Sequence, residues 1–222
     1  MSTPVATLLE WHDLRRKTSF NIFASQGNQR EIMQMNSQAV MNRKGDSDII
    51  TALQTTTTSI NASGSSGVAT TQNVLNASTV MANNGVPWDS NITAVVTPAF
   101  YGELLENVND FKNRDLVGDK TPWNGSDMAW RDKPIAYWWN GMMWIVHPNL
   151  PGAGTANAEC FFYHKNAIGH AIDQSGLESK VGYDEENDYS FARTTCFMGS
   201  VVLQMGGIVK FWHNDSALSA TV

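Results

Sequence analysis

The sequence predicts an α+β fold, with helices in the first half of the chain and strands in the second. Three observations carry this expectation. Before about Val108, apolar residues recur at helical spacing in three stretches. After about Met142, short apolar runs are separated by Gly, Pro, Asn and Asp. Strands and helices do not alternate regularly and no internal repeat is present, which argues against a parallel βαβ sheet.

Taken in order, the chain opens with mixed apolar and basic residues, among them Leu8, Leu9, Trp11 and the run Arg15-Arg16-Lys17. Ser19 to Ala24 partly alternates and reads as a strand. Asn28 to Gln54 reads as a long helix, with Ile32, Met35, Ala39, Ile50 and Leu53 near one face. Gly45 marks a break or bend, after which Asp46 would cap the second half. Thr55 to Thr71 (TTTTSINASGSSGVATT) is low-complexity and is expected to bury almost nothing, as a loop or hinge between two lobes.

Gln72 to Asn84 predicts a second helix with a narrow stripe of Val74, Leu75, Ser78, Met81 and Ala82. It is stopped by Gly85 in the left-handed region and by Pro87. Ile92 to Thr97 reads as a short buried strand. Thr97 then caps a third helix with Pro98 at its first position, and Phe100, Tyr101, Leu104, Leu105 and Val108 form its buried side. Strands are expected at Met142–Val146 and Ala158–Tyr163, around a turn of Pro151, Gly152 and Gly154. Lys165 to Ile172 reads as a short helix with Ala167, Ile168, Ala171 and Ile172 inward. Ser179–Asp184 and Ser190–Phe197 are expected to pair across an acidic turn. Val201–Gln204 and Ile208–Trp212 would close a hairpin at Gly206-Gly207, and the tail after His213 is expected to be disordered.

Composition narrows the function. The net charge of −6 opposes tight phosphate binding, which needs clustered Lys and Arg. Arg15-Arg16-Lys17 is the strongest basic cluster. Three adjacent charges are a weak electrostatic footprint, so a solvated face or a subunit contact outweighs DNA contact. No apolar run approaches the roughly 20 residues needed to span a bilayer, and no secretory signal stands at the start. Cys160 and Cys196 read as free thiols filling core space rather than as a bridge.

Catalytic signatures are missing. There is no Walker A loop, no H-E-x-x-H, no G-x-S-x-G and no paired C-x-x-C. Gly152-Ala153-Gly154 begins like a dinucleotide loop, but Asn157 stands where the third glycine is required. His164 and His170, six apart, would diverge by about 240° on a helix, so they do not predict one metal site. His147, His164 and Cys160 would converge only through tertiary folding. Asp184, Glu186 and Asp188 alternate as in a calcium loop but lack its glycine and its final acid, leaving a solvated turn. Trp123, Trp130, Trp138, Trp139 and Trp144 could form a platform for sugars or bases, although aromatics among strands more often fill cores and interfaces. No catalytic, cofactor-binding or metal-ligating residue is therefore assigned.

One ordered set of segments resembles a known family. "NNGVPWDSNITAVVTPAFYGELLEN" (83–107) is similar to the helix stop, short strand and following helix of tailed-bacteriophage major capsid proteins of the Hong Kong 97-type fold. "NRKGDSDIITAL" (42–53) resembles the end of that family's spine helix. "NGMMWIVHPNLP" (140–151), "CFFYHKNAIGHAI" (160–172) and "GSVVLQMGGIVKFW" (199–212) resemble later segments in the same order.

The resemblance implies a two-lobed body. It has a long spine helix, a peripheral lobe with a β-sheet, and an axial lobe with a central sheet flanked by helices. Residues 1–70 would hold the N-terminal segment, spine helix and loop, 71–176 the axial lobe, 177–213 the strands returning to the peripheral lobe, and 214–222 the tail. It further implies a non-enzymatic shell subunit that assembles with itself into hexamers and pentamers around double-stranded DNA. Portal, scaffolding or decoration proteins would be partners, the DNA would be near but not gripped, and no membrane would be involved. The location would be the virion, and the host cytoplasm during assembly. The alternatives are an encapsulin-like nanocompartment and a carbohydrate-binding module built on the tryptophans. Family members also carry an N-terminal arm and an extended loop, of which at most a remnant precedes the long helix. No isopeptide cross-linking residue is carried over.

Overall fold

A computed structural model describes residues 4–24, 27–61, 67–107, 136–173 and 176–217. In chain order the elements are β1 (Leu9–Thr18), α1 (Ser19–Ala24), α2 (Gln29–Gln54), β2 (Ser59–Ile60), α3 (Thr71–Asn83), β3 (Ile92–Val96), α4 (Pro98–Asn107), β4 (Ala136–Trp139), β5 (Met142–Val146), β6 (Ala158–His164), β7 (Ile168–Ile172), β8 (Glu178–Asp184), β9 (Tyr189–Val202) and β10 (Ile208–His213). Short 3-10 turns cover Lys165–Ala167, Met205–Gly207 and Asp215–Ala217. The chain forms two compact units, Met1–Ala52 with Gly169–Val201, and Leu53–Ile168 with Val202–Val222.

The first unit is built on β9. This 14-residue strand pairs antiparallel with β1 along one side, Leu9 opposite Met198 through Thr18 opposite Tyr189. On its other side it pairs with β8, Glu178 opposite Thr195 through Asp184 opposite Tyr189, and then with β7. One face of β9 is buried at Ser190, Ala192, Thr194, Cys196 and Met198, the alternation of a sheet covered on one side. Met41 of α2 packs there with Cys196 and Met198, flanked by Trp11 and Leu177.

The second unit is a six-stranded mixed sheet in the order β2-β10-β6-β3-β5-β4. β3–β5 and β2–β10 pair parallel, the others antiparallel. Ile92, Ala94 and Val96 share one face with Met142, Trp144, Cys160, Phe162, Val209 and Phe211. Val74, Ala77 and Met81 of α3 and Phe100 and Leu104 of α4 close that face into one core. Phe100 packs edge-on to Phe211 at 5.3 Å, and Trp144 edge-on to Phe162 at 5.7 Å.

The caps follow the expected chemistry. The Thr70 side chain accepts the Asn73 amide at 3.3 Å, Gly85 has φ +76°, and Thr97 Oγ1 accepts the Phe100 amide at 3.2 Å. The acidic turn joins β8 and β9 as expected. Val108, expected on the buried side of the third helix, lies outside the described residues, as do Trp123 and Trp130.

Several expectations are corrected. Ser19–Ala24 is helical, because β9 begins at Tyr189 and offers no partner beyond Thr18, whose hydroxyl accepts the Asn21 amide. α2 runs unbroken through Gly45, so Asp46 lies inside the helix and not at the start of a second one; a single glycine costs about 1 kcal/mol, too little to break 26 residues of helix. The buried positions of α2 are Gln29, Met33, Ser37, Met41, Ile50 and Leu53, while Ile32, Met35 and Ala39 are exposed. In α3, Ala77 rather than Leu75 joins Val74 and Met81. Lys165–Ile172 is a 3-10 turn followed by a strand. His164 Nδ1 accepts the Asn166 amide at 3.2 Å, and β-branched Ile168 and Ile172 bracket a strand that joins β9.

The hairpin expected at 201–212 does not form. The Leu203 and Gln204 amides both donate to Ala167 O, at 2.8 and 3.1 Å, and the chain crosses into the other sheet as β10. β10 is buried on both faces at Ile208, Val209 and Phe211, which suits a central strand and not a solvent hairpin. The low-complexity stretch also buries more than expected. Thr56, Gly67 and Ala69 are buried, Ser59–Ile60 pairs with β10, and Gly67 O accepts the Asn214 amide. In the tail, Asp215 is buried and hydrogen-bonded.

Candidate assembly surfaces

The β1-β9-β8 sheet has two unlike faces. Odd-numbered residues of β1 lie on the α2 side. There Lys44 Nζ sits 3.7 Å from the Trp11 ring centre, Ser37 donates to Asp13 O, and Lys17 Nζ donates to Gln29 Oε1 at 2.5 Å. Trp11 Nε1 is buried and has no hydrogen-bond acceptor among the described residues. The opposite face carries Glu10, His12, Leu14 and Arg16 beside Phe191, Arg193, Thr195 and Phe197. Leu14 and Phe197 are 38% and 41% exposed, so this face mixes apolar and charged groups in solvent, as interface rims do.

Strand geometry also disperses the basic run. Arg15 binds Asp13 at 2.9 Å, Arg16 stacks over Tyr189 at 4.8 Å, and Lys17 turns to Gln29. Adjacent residues of a strand point to opposite faces, so three neighbours in sequence do not make one phosphate-binding patch. The acidic turn is self-satisfied. Asp184 accepts the Glu186 and Asn187 amides, and Asp188 accepts from Ser19 and Tyr183. The Asn187 side chain and then Tyr189 hold the Asp184 carboxyl below its ordinary pKa; Tyr183 and then Ser19 do so for Asp188.

The second unit carries a buried charged cluster that sequence reasoning missed. His213 is 1% exposed. Its Nδ1 lies 2.5 Å from Asp215 Oδ1 and its Nε2 2.5 Å from Glu103 Oε2. Asp215 also accepts from Thr97 Oγ1 at 2.9 Å and from the Gly154 amide at 3.0 Å, and Glu103 accepts the Ala69 amide at 2.8 Å. One imidazole thus joins the ends of β3 and β10, α4, the glycine turn and the segment entering α3. Burial alone would favour neutral His213, but its hydrogen bonds to the Asp215 and Glu103 carboxylates outweigh it and raise the pKa. Nearby, Lys210 Nζ binds Glu159 at 3.1 Å and Gln54 O at 3.1 Å. The only sequence signal for either cluster was a charged residue in or beside an apolar strand; Glu103 and His213 lie 110 positions apart.

The weighed residues take structural places. Trp144 is fully buried and donates to Trp139 O, so these two members of the tryptophan cluster pack together in the core; the Trp138 side chain lies outside the described residues. Cys160 and Cys196 are free and buried, and burial pushes the Cys160 thiol up to about 12. His164 bonds Asp89 at 3.0 Å, His147 Nδ1 accepts the Asn149 amide, and His170 bonds Ser200 at 2.9 Å. Gly152 and Gly154 form a turn at φ +69° and +80°.

A sequence profile of the phage capsid protein family matches residues 7–214. No curated protein matches at the sequence level. Among solved structures, a "Mycobacterium phage Che8" chain superposes with a TM-score of 0.69 at 15% identity, covering 92% of this chain and 71% of that one. The capsid structure of cyanophage P-SCSP1u gives 0.64 at 15% identity, covering 94% and 73%. The holo-SrpI encapsulin complex from Synechococcus elongatus gives 0.60 at 10% identity, covering 97% and 77%. At such identities these likenesses establish the fold alone.

Proposed function

The chain belongs to the phage capsid protein family, and on that premise we propose how its two units serve a shell. It is a structural, major capsid protein of the virion, and it acts by assembling with copies of itself. The observation that carries this is the family match from residue 7 to 214, on a fold shared with the cyanophage capsid chain. A shell subunit works by repeated modest contacts, each weak alone and strong in a closed array.

The finer reading is ours. The second unit, with its packed aromatic core, corresponds to the lobe around hexamer and pentamer centres. The first unit corresponds to the peripheral lobe. The shell is icosahedral, encloses double-stranded DNA without gripping it, and forms in the host cytoplasm. A portal takes part, with scaffolding or decoration proteins as further partners. The protein performs no catalysis. The dispersed basic run and the net charge of −6 support DNA contact by proximity rather than by specific phosphate binding.

A second reading is an encapsulin-like compartment, supported by the likeness to the Synechococcus encapsulin complex over 97% of this chain. Electron microscopy of particles from the native source, with nuclease digestion before and after disruption, separates the two. Closed shells holding nuclease-protected DNA are expected. Closed shells holding protein cargo would favour the compartment, and a uniformly monomeric protein would contradict both.

A further inference from the structure

β1 presents ten residues of strand that, among the described residues, pair only with β9. Its second edge therefore carries a row of backbone N–H and C=O groups open to another strand. Natural proteins blunt such edges with proline, bulges, very short strands or charged side chains, and of these β1 carries only the charges. β1 has no proline and keeps an unbroken one-to-one register with β9. Leu8, Leu9 and Leu14 beside this edge are 50%, 51% and 38% exposed.

The charges of β1 are divided along its length. Glu10 and Asp13 stand in the first half, and Arg15, Arg16 and Lys17 in the second. A second copy laid parallel and in register would stack the three basic residues on themselves. Laid antiparallel about a two-fold axis, each first half meets the other's second half. Matching of faces requires even residues opposite even residues. One such register places Glu10 opposite Arg16 twice and His12 opposite Leu14 on the solvent face. Asp13 then meets its own copy at the axis, each already held by its Arg15 at 2.9 Å.

We propose that the free edge of β1 is an interface between two copies of this chain, joined as antiparallel β1 strands with Glu10 of each opposite Arg16 of the other. This rests on the self-assembly reading and specifies one of its contacts. The arrangement is isologous and closes on itself, so it yields pairs rather than endless sheets.

The test mixes two exposed single variants, Glu10→Cys and Arg16→Cys, on a background whose native thiols are both buried. Oxidation of the mixture is expected to give cross-linked heterodimers at least about tenfold above either variant alone, since disulfides need Cα atoms within roughly 7 Å. In a second arm, Glu10→Arg weakens pair formation by roughly tenfold through the two lost charge pairs. Adding Arg16→Glu restores it. Circular dichroism checks that each variant folds. Heterodimer yield no higher than in the single variants, or a charge swap that restores nothing, overturns the proposal. Microscopy of the same samples reads shell formation separately: shells without the cross-link sink this interface alone, and cross-linked pairs without shells sink the shell reading alone.

Discussion

His213 Nε2 approaches Glu103 Oε2 to 2.5 Å across 110 positions of sequence, while Nδ1 of the same ring approaches Asp215. A cation enclosed by two carboxylates in a nearly dry site stabilises the fold only while it carries its proton. Because the folded pKa of His213 is raised, its contribution is complete below the ordinary histidine value of about 6.5 and is lost as pH rises through the folded value.

Thermal melts between pH 6 and pH 9 should therefore show a falling midpoint for the wild type. The variant His213→Gln should be less stable at pH 6, by about 3 kcal/mol, because it strands the buried Asp215 carboxylate and the part-buried Glu103 carboxylate. The gap should narrow as pH rises. A gap that is constant with pH would show that His213 is held neutral.

Gly45 lies inside an unbroken helix, and a methyl added there would meet Met198 Sδ at 3.8 Å, an ordinary contact. Gly45→Ala should stabilise the protein by about 1 kcal/mol in urea unfolding. A loss of stability would mean that α2 does bend at this point.

Gly67 is the opposite case. A Cβ there would fall 2.1 Å from the Trp212 carbonyl oxygen, a backbone atom that cannot swing away. Gly67→Ala should cost about 1–3 kcal/mol by the same measurement. A neutral result would place this segment away from β10.

Trp11 buries an indole N–H that has no acceptor among the described residues. Leaving a donor unsatisfied costs about 1–3 kcal/mol, so Trp11→Phe should be neutral or stabilising by about 1 kcal/mol despite its smaller ring. A loss above about 2 kcal/mol would locate a partner for the indole.

Much of the fold was legible where a local signal and a tertiary need agreed. Thr97-Pro98 encodes a cap and a first helical residue, and the strand before it is buried whichever partner it takes. The failures share a cause. Ser19–Ala24, Lys165–Ile172 and Val201–Trp212 were judged by their own periodicity, but each was decided by a distant partner. β9 stops pairing at Tyr189, Ala167 O takes two amides, and β10 finds β6 rather than β9. The face of α2 was misread for a related reason. The helix mixes apolar and polar residues without one clean stripe, and Ser37 is buried with its hydroxyl on the Asp13 carbonyl rather than as an apolar side chain. The free edge of β1 was invisible because an edge is defined by the strand that is not beside it.

The pairing of β1 with β9 also sets a timetable. Leu9 waits for Met198, so the strand made first in the first unit is completed by one of the last. During synthesis, which proceeds at about 5–20 residues per second, the chain carries β1 with neither edge satisfied until β9 has left the ribosome. Only then does β1 acquire a fixed inner edge and a defined outer one. On the β1 contact proposed above, recognition between copies therefore follows the synthesis of β9 and is withheld from chains that have not yet made it.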